Sequence, residues 1–377
     1  MRGSTAGFSG NFPSTLHTDS TLLQCVDVLF ASVVVTPATL AYWWSTWNLI
    51  DLYVYPDDML TSAFVSAVFG MCCSVVLCMC QFQLKGYISP DKGRVKYFVL
   101  SRIYSCVAGV TCVAAIRGVW DLMDEGGESL TALSWSTAAS ILSLAALRTL
   151  KNICAIPFVL VIDSPRDHFD VPTFFKTTTG DTLLYFLDCV FSVLVVGTLV
   201  IGVWRGLWGL AEALFYPQDY VMSCCISVVV GYGLAIATFA LQEPMRWLTA
   251  KLHGAPRLLL ADVYNLVSFI ATVNIWRGMW GLMDEYCFPE SPYIISWCSH
   301  VLSILVLVGL NCFNTVLVRG VYFDDEEPAD ETVVFPCHYF RIYYHRRKMR
   351  KKFKQAIDAE KNTLADSNTP LKFDVQI

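Results

Sequence analysis

Apolar residues dominate eight long stretches of the chain, each about the length that a membrane-spanning helix requires. A hydrocarbon core about 30 Å thick takes roughly 20 apolar residues of helix. The stretches are residues 22–47, 59–82, 98–123, 131–157, 182–210, 220–241, 258–283 and 293–318. With 55% hydrophobic residues, 16% charged residues and a mean hydropathy of +0.50, the composition excludes an ordinary soluble domain. We therefore predict an all-α polytopic membrane protein with eight transmembrane helices.

Basic and acidic residues alternate between the links that join these stretches. The links after the second, fourth and sixth stretches carry lysine and arginine, whereas the intervening links are acidic. Because basic links face the cytoplasm, this alternation predicts that both termini are cytoplasmic. The first stretch lacks the basic leader and cleavage site of a signal peptide, so residues 1–21 are expected to form a cytoplasmic N-terminal leader.

One short phrase recurs at the end of every odd-numbered stretch. It reads "WWSTWNLID" at 43–51, "IRGVWDLMDE" at 116–125, "VWRGLWGLAE" at 203–212 and "IWRGMWGLMDE" at 275–285. The copies align on one column of tryptophans: Trp47, Trp120, Trp208 and Trp280. We predict four tandem two-helix repeats that form two similar halves, related by an axis along the membrane normal.

The predicted domain organisation follows these repeats. Residues 22–162 form the first four-helix half and residues 182–325 the second, with a cytoplasmic linker at 163–181 between them. Residues 326–377 form a cytoplasmic tail.

The phrase places arginine and acid on one helix face, about two turns or 10.5 Å apart. Trp44 replaces the arginine of the first copy. An ordinary explanation is that the tryptophans lie in the headgroup region and the arginines extend to water. Since unpaired charge at membrane depth is unfavourable, we hypothesise instead an inter-repeat polar ring. Its members are Arg117, Arg205, Arg277, Asp51, Asp124, Glu212 and Asp284.

Four further ionisable residues lie near the predicted cytoplasmic ends of the spans: Asp27, Asp188, Arg102 and Asp262. Charge inside a span favours a functional site, so these residues are candidates for lining a solute path. The alternative is that they lie at the interface and reach water.

The tail carries a basic amphipathic pattern. Met349, Phe353 and Ile357 recur every four residues among basic ones. The candidate binding residues are Arg346, Arg347, Lys348, Arg350, Lys351 and Lys352. Such a helix favours the anionic inner leaflet or a calmodulin-like partner, and a solvated charged helix is the alternative. The chain ends with Val375 and Ile377 around a glutamine, a candidate ligand for a PDZ domain.

Catalytic and metal-binding motifs are absent from the sequence. It contains no HExxH, GxSxG or Walker pattern, and its 6 histidines are not clustered with acids at metal-ligand spacing. We expect no enzyme activity, no cofactor, no metal and no nucleic-acid partner.

The phrases "IWRGMWGLMDEYCFPESPYIISW" and "VWRGLWGLAEALFYP", within eight predicted spans, resemble the Fuseless family of invertebrate multi-pass membrane proteins. The resemblance covers residues 22 to 325 or so. It implies a presynaptic plasma-membrane protein that organises or regulates ion channels, voltage-gated calcium channels in particular, at release sites.

Two classes of function follow from the sequence. One is a membrane organiser that engages ion channels and cytoplasmic scaffold proteins. The other is a solute transporter or channel with a path between the two parallel halves. A hydrated centre lined by the ionisable residues would favour transport, and a centre packed with apolar side chains would favour organisation.

Overall fold

The computed structural model describes residues 21–127, 129–287, 291–324, 326–329 and 331–367, and the regular structure within them is helical, without a strand. The α-helices, numbered in chain order, are α1 (Thr21–Tyr53), α2 (Met59–Met79), α3 (Gln81–Tyr87), α4 (Arg94–Asp124), α5 (Leu130–Ala146), α6 (Thr182–Leu214), α7 (Tyr220–Lys251), α8 (Ala255–Cys287), α9 (Pro292–Gly309) and α10 (Phe340–Ser367). π-Helical turns interrupt α1 at Ala31–Val35 and α6 at Phe191–Val196. The predicted all-helical architecture is confirmed for this part of the chain.

Among the described residues, 7 helices are long and apolar enough to cross a membrane: α1, α2, α4, α6, α7, α8 and α9. The fourth predicted stretch, residues 131–157, differs, because α5 is a shorter apolar helix that ends at Ala146. Its end is fixed by the backbone. Arg148 adopts φ 55, and the N–H groups of Arg148 and Thr149 donate back to Ala145 and Leu144. This is a Schellman motif, which terminates a helix by satisfying its last carbonyls.

Four inner helices form a closed ring, in the order α1, α4, α6, α8, and each packs lengthwise on one outer helix. The inner–outer pairs are α1 with α9, α4 with α2, α6 with α5, and α8 with α7. Glycines of the recurring phrase permit this contact: a Cβ at Gly118 would lie 2.2 Å from the Ala67 nitrogen, and one at Gly278 would lie 2.6 Å from the Cys224 carbonyl. Small residues let helix backbones approach closely where no water-driven burial is available. The first and last candidate spans are therefore neighbours.

The centre of the ring is filled at one end by two segments outside the α-helices, residues 148–175 and the described part of residues 311–339, which we call the plug. All four inner helices bind it. The indole nitrogens of Trp43, Trp204 and Trp276 donate to the carbonyls of Val316, Ile153 and Ile156 at 3.1, 3.2 and 3.1 Å, and Ser105 of α4 donates to Asn314 at 2.7 Å. Most described plug residues are buried. The interior is therefore packed with the chain's own backbone.

Two carboxylates, 161 residues apart, join the plug segments reciprocally. Asp163 accepts from the N–H groups of Phe313 and Asn314 at 3.2 and 2.9 Å. Asp324 accepts from those of Leu150 and Lys151, both at 2.8 Å. Each carboxylate thus satisfies the N-terminal donors of a 3-10 turn in the other segment, where buried amides would otherwise lack partners.

Parts of the predicted linker and of the predicted tail take part in this packing. The expected linker at 163–181 and the start of the expected tail at 326 belong to the plug for much of their length, and both contribute buried residues. Irregular backbone is tolerated at such depth only where protein groups satisfy its amides and carbonyls. The two acids described above, together with Asn152, which bonds both the N–H and the carbonyl of Tyr322, provide those partners.

The plug also contains a buried neutral histidine. His168 lies 3.0 Å from the Ser101 carbonyl through Nε2, and its Nδ1 lies 3.1 Å from the amide nitrogen of Asn314. The tautomer protonated at Nε2 satisfies both contacts. Burial, with Arg319 nearby, lowers the pKa of His168 from 6.5 to about 3.

We expect this histidine to make the fold sensitive to acid. Because its pKa is lower in the folded chain than in the unfolded one, its contribution to stability is complete above about pH 6.5 and is lost as the pH falls towards 3. The loss should approach about 1.4 kcal/mol per pH unit. Unfolding midpoints measured against pH should show this slope, and His168→Gln should flatten it. The exposed His253, changed to Gln, is the control, and equal flattening in both variants would contradict the assignment.

Candidate functional site

Four tryptophans close the end of the ring opposite the plug. The rings of Trp47, Trp120, Trp208 and Trp280 pack edge to face in a closed cycle, with centroids 6.0, 5.7, 6.0 and 5.5 Å apart and interplanar angles of 87, 90, 86 and 85°. We call this group the tryptophan tetrad. Edge-to-face pairs bring the positive ring edge to the negative ring face, which is the favoured arrangement for aromatic pairs. The column identified in the sequence is thus one contact site in space.

A second apolar layer lies one helical turn closer to the plug. It contains Trp43, Ile116, Trp204 and Trp276, which stand four residues before the members of the tetrad and are 5% exposed or less. Trp276 contacts Trp43 and Trp204 with centroids 6.0 and 5.4 Å apart. Since residues four apart share a helix face, the phrase directs both layers to the centre of the ring.

Around the tetrad, the recurring polar positions contact neighbouring inner helices. The guanidinium Nε of Arg117 donates to Asp51 at 2.7 Å, and that of Arg205 donates to Asp124 at 2.6 Å. In the copy without arginine, the indole of Trp44 donates to Asp284 at 2.6 Å. Each of these three donors thus reaches the acid of an adjacent copy of the phrase.

Arg277 departs from that pattern, because its contacts go to α7. It donates to the hydroxyls of Ser227 and Ser223 at 2.6 and 2.8 Å, while Glu212 is exposed. Arg117 makes a similar contact with Ser66 of α2, at 3.1 Å. Two serines on α7 give Arg277 enough acceptors at this depth, so it needs no carboxylate to satisfy its donors.

Asp27 and Asp188 hold the ends of the plug. Asp27 accepts from the N–H groups of Tyr339 and Phe340 and from Arg341 Nε, at 3.1, 2.5 and 2.7 Å. Asp188 accepts from the backbone N–H groups of Phe175 and Thr177 and from two threonine hydroxyls. Both carboxylates are at most 1% exposed. The structure therefore places both carboxylates in buried contacts within the chain.

Arg102 and Asp262 occupy matching positions but differ in their surroundings. Arg102 pairs with the plug residue Asp163 and also donates to Asn311 at 3.0 Å. Asp262 is 8% exposed, and its Oδ1 is buried with no hydrogen-bond partner among the described residues. The pattern of charges around the plug is therefore not symmetric between the halves.

The tail helix is anchored at its first turn. Asp27 caps α10 by accepting from the N–H groups of Tyr339, just before the helix, and of Phe340, its first residue. The carboxylate also places a negative charge at the N-terminus of this helix, which is favourable. Beyond this turn Arg347, Lys348, Arg350 and Lys351 are exposed. The side chains of Arg346 and Lys352, and residues Val375 and Ile377, lie outside the part of the chain that the structure describes.

The sequence did not reveal Asp163 and Asp324 as structural residues. Their 161-residue separation is that of Asp27 and Asp188, so the same half-to-half comparison could have found them. Their partners, however, are backbone amides of the opposite plug segment, which carry no sequence signal.

The strength of the polar ring can be measured by double-mutant cycles. We expect Arg117→Gln and Asp51→Asn to show a coupling of about 1–3 kcal/mol in chemical unfolding, because Arg117 is fully buried. Asp124 is 54% exposed, so coupling for Arg205→Gln with Asp124→Asn should stay below about 1 kcal/mol. Additive single changes at Arg117 and Asp51 would show that this contact does not stabilise the ring.

The class of protein that fits this fold is a multi-pass α-helical membrane protein whose inner helices enclose a plug of their own chain. No curated protein and no solved structure shows significant similarity to the chain. The Fuseless family model matches residues 22–317, and the chain belongs to this family.

Proposed function

We propose that this protein is a non-catalytic membrane organiser that recruits or regulates ion channels, voltage-gated calcium channels in particular, at presynaptic release sites. Membership of the Fuseless family supports the setting. The single observation that carries the choice of an organiser is the closed centre of the ring, which has the tryptophan tetrad at one end and the plug at the other.

A closed centre favours organisation over transport for a physical reason. A solute path needs a continuous polar or hydrated route. The axis of the helix ring instead passes through the tryptophan tetrad, the second apolar layer and then the buried backbone of the plug. Of the ionisable residues that were candidates for a path, Asp27, Asp188 and Arg102 each bond to plug residues. Asp262 Oδ1 has no hydrogen-bond partner among the described residues. Solute transport is the alternative function. It would require the plug to move out of the centre of the ring.

The proposed architecture has eight spans in four tandem helix pairs. As a helix of 17 residues, α5 is about 25 Å long, a few ångströms short of an average bilayer core. Its position on α6 matches that of α2 on α4 and of α7 on α8. With eight spans and basic links inside, both termini are cytoplasmic and the tetrad faces the outside.

In this arrangement the tail is the proposed contact with partners. The exposed basic residues of α10 suit the anionic inner leaflet and acidic surfaces of scaffold proteins, and the apolar end of the chain suits a PDZ groove. Since α10 begins against α1, a partner held by the tail is also held close to the helix ring.

The proposal predicts that the tail determines which proteins surround the molecule. A proximity-labelling enzyme fused to the tail in neurons should label calcium-channel subunits. Reversing Arg347, Arg350 and Lys351 to Glu should reduce that labelling about fivefold or more, since each basic residue near the leaflet contributes about 1 kcal/mol. The matched control reverses three exposed basic residues just before and at the start of α4, Lys92, Arg94 and Lys96.

A second readout separates organisation from transport. Reconstituted protein should leave the ion and solute permeability of vesicles unchanged. Labelling that is equal in the tail and control variants, or a flux that depends on the protein, would contradict the proposal.

A further inference from the structure

An apolar cavity lies between α2, α4, α6 and the plug, outside the closed centre. Its volume is about 110 Å³, which is near the size of engineered cavities of about 150 Å³ that hold benzene. Residues of α2 and α6 that line it, such as Ser74, Leu77 and Val193, are partly exposed and neighbour the exposed Val76 and Leu194. The cavity therefore opens sideways between α2 and α6, towards the lipid.

The two halves of the molecule can be compared in register at this place. Ser66 and Ser227 bind the arginines of adjacent helices, and Gly70 and Gly231 press against the backbone nitrogens of Ala115 and Ile275. These contacts align α2 with α7. In this alignment Met71 corresponds to Tyr232, and Cys78 corresponds to Phe239. The same register on α4 and α8 places Ile116 where the second half has Trp276.

In the second half, larger side chains occupy these positions. Tyr232 donates to the carbonyl of Ser32 at 3.0 Å, in the π-helical turn of α1. Phe239 stacks on Phe158 of the plug with centroids 4.8 Å apart, and Phe335 packs on both. The first half has smaller residues at three matching positions, so side-chain volume is missing there and the cavity is left.

The plug residue that matches Phe158 is a cation. Phe158 stands five residues before Asp163, and Arg319 stands five residues before Asp324. Arg319 lines the cavity, donates to the hydroxyl of Tyr104 at 2.8 Å and to the carbonyl of His168 at 2.6 Å, and its Nε is buried without an acceptor. No carboxylate of the described residues forms an ion pair with it.

At this position an anionic ligand group would stabilise the guanidinium of Arg319, whereas an apolar group would not. Arg319 is partly buried and lies over the Tyr104 ring, and its unpaired Nε leaves one donor available. Arg geometry matches a carboxylate. The volume admits the first carbons of one hydrocarbon chain, and it is too small for a phospholipid with its headgroup and two chains. The lateral opening leaves the remainder of a long chain in the lipid.

The geometry points to a binding site for a single-chain amphiphile with a carboxylate head, a long-chain fatty acid, whose carboxylate meets Arg319 and whose chain leaves between α2 and α6. This site is independent of the proposed role in organising channels. It exists in one half of the molecule only, because aromatic side chains occupy the corresponding place in the other.

The test uses the full chain in phosphatidylcholine nanodiscs with a diazirine-bearing palmitic acid and its methyl ester. Adducts are mapped by mass spectrometry. We expect the acid to label α2 and α4 around Met71 and Tyr104 at least about tenfold more than the ester, because a charge-assisted hydrogen bond is lost in the ester. This comparison needs no variant, so a folding defect cannot affect it.

Two variants and a control complete the design. Met71→Tyr introduces the residue of the second half and should abolish labelling of the cavity, and Arg319→Gln should remove the preference for the acid. Val68→Tyr, at a position of α2 that is 47% exposed, should label like the wild type. Equal labelling of the wild type by acid and ester, or undiminished labelling of a folded Met71→Tyr variant, would overturn the assignment.

Discussion

Replacement of Asp163 by alanine is expected to lower the free energy of unfolding by about 3–5 kcal/mol, enough to remove most of the stability of an ordinary domain. The carboxylate is 6% exposed and is shared by Arg102 and two backbone N–H groups of the other plug segment. Its loss removes one of the two side-chain acceptors of Arg102 and leaves the two backbone amides without their acceptor. Denaturant titration in micelles, followed by tryptophan fluorescence, measures the change.

The control for this variant is another aspartate with a basic partner. Asp170 pairs with Lys85 at 2.7 Å, but their side chains are 28% and 42% exposed. Asp170→Ala should therefore cost less than about 1 kcal/mol. If the two variants unfolded at the same denaturant concentration, the plug would not depend on its reciprocal carboxylates.

Truncation of Trp204 to alanine should be almost as damaging, at about 3–5 kcal/mol. This side chain is 1% exposed, contacts Trp276 and Phe269 with centroids 5.4 and 5.0 Å apart, and donates to the plug at Ile153. The change creates a cavity between the second apolar layer and the plug. It also leaves the buried carbonyl of Ile153 without the indole N–H that donates to it.

Trp135 provides the matched comparison, because it is 73% exposed on α5. Trp135→Ala removes the same number of atoms from an exposed position and should change the thermal unfolding midpoint little. A Trp204→Ala variant as stable as Trp135→Ala would mean that the layer does not join the inner helices to the plug.

Periodicity and hydropathy predicted the helices well because the bilayer imposes one length and one polarity on them. The sequence repeat also identified the four aligned tryptophans. Because they stand at the same position of four similar helices, they face the same axis, that of the helix ring. The partner of Arg277 could not be predicted, because hydroxyl acceptors on α7 compete with a carboxylate and short polar residues are common in such helices.

The plug was the main feature that the sequence concealed. Residues 150–162 are almost wholly apolar, so a hydropathy window cannot distinguish them from the continuation of a span. What ends α5 is a backbone conformation at Arg148, a residue without a strong preference for it. Similarly, Asp27 resembled a path residue because its partners, Tyr339, Phe340 and Arg341, are distant in sequence. Those of Asp188 are uncharged groups of residues 173–177, which give no sequence signal of pairing.

The pairing of α1 with α9 has a consequence for how the chain is made. The ribosome delivers α1 first, yet its partner helix and the segment that Asp27 holds emerge only after some 250 further residues. At about 5–20 residues per second, α1 waits roughly 12–50 seconds before α9 and the segment around Phe340 exist. A chain that stops before α9 therefore leaves α1 without its outer helix and Asp27 without its partners.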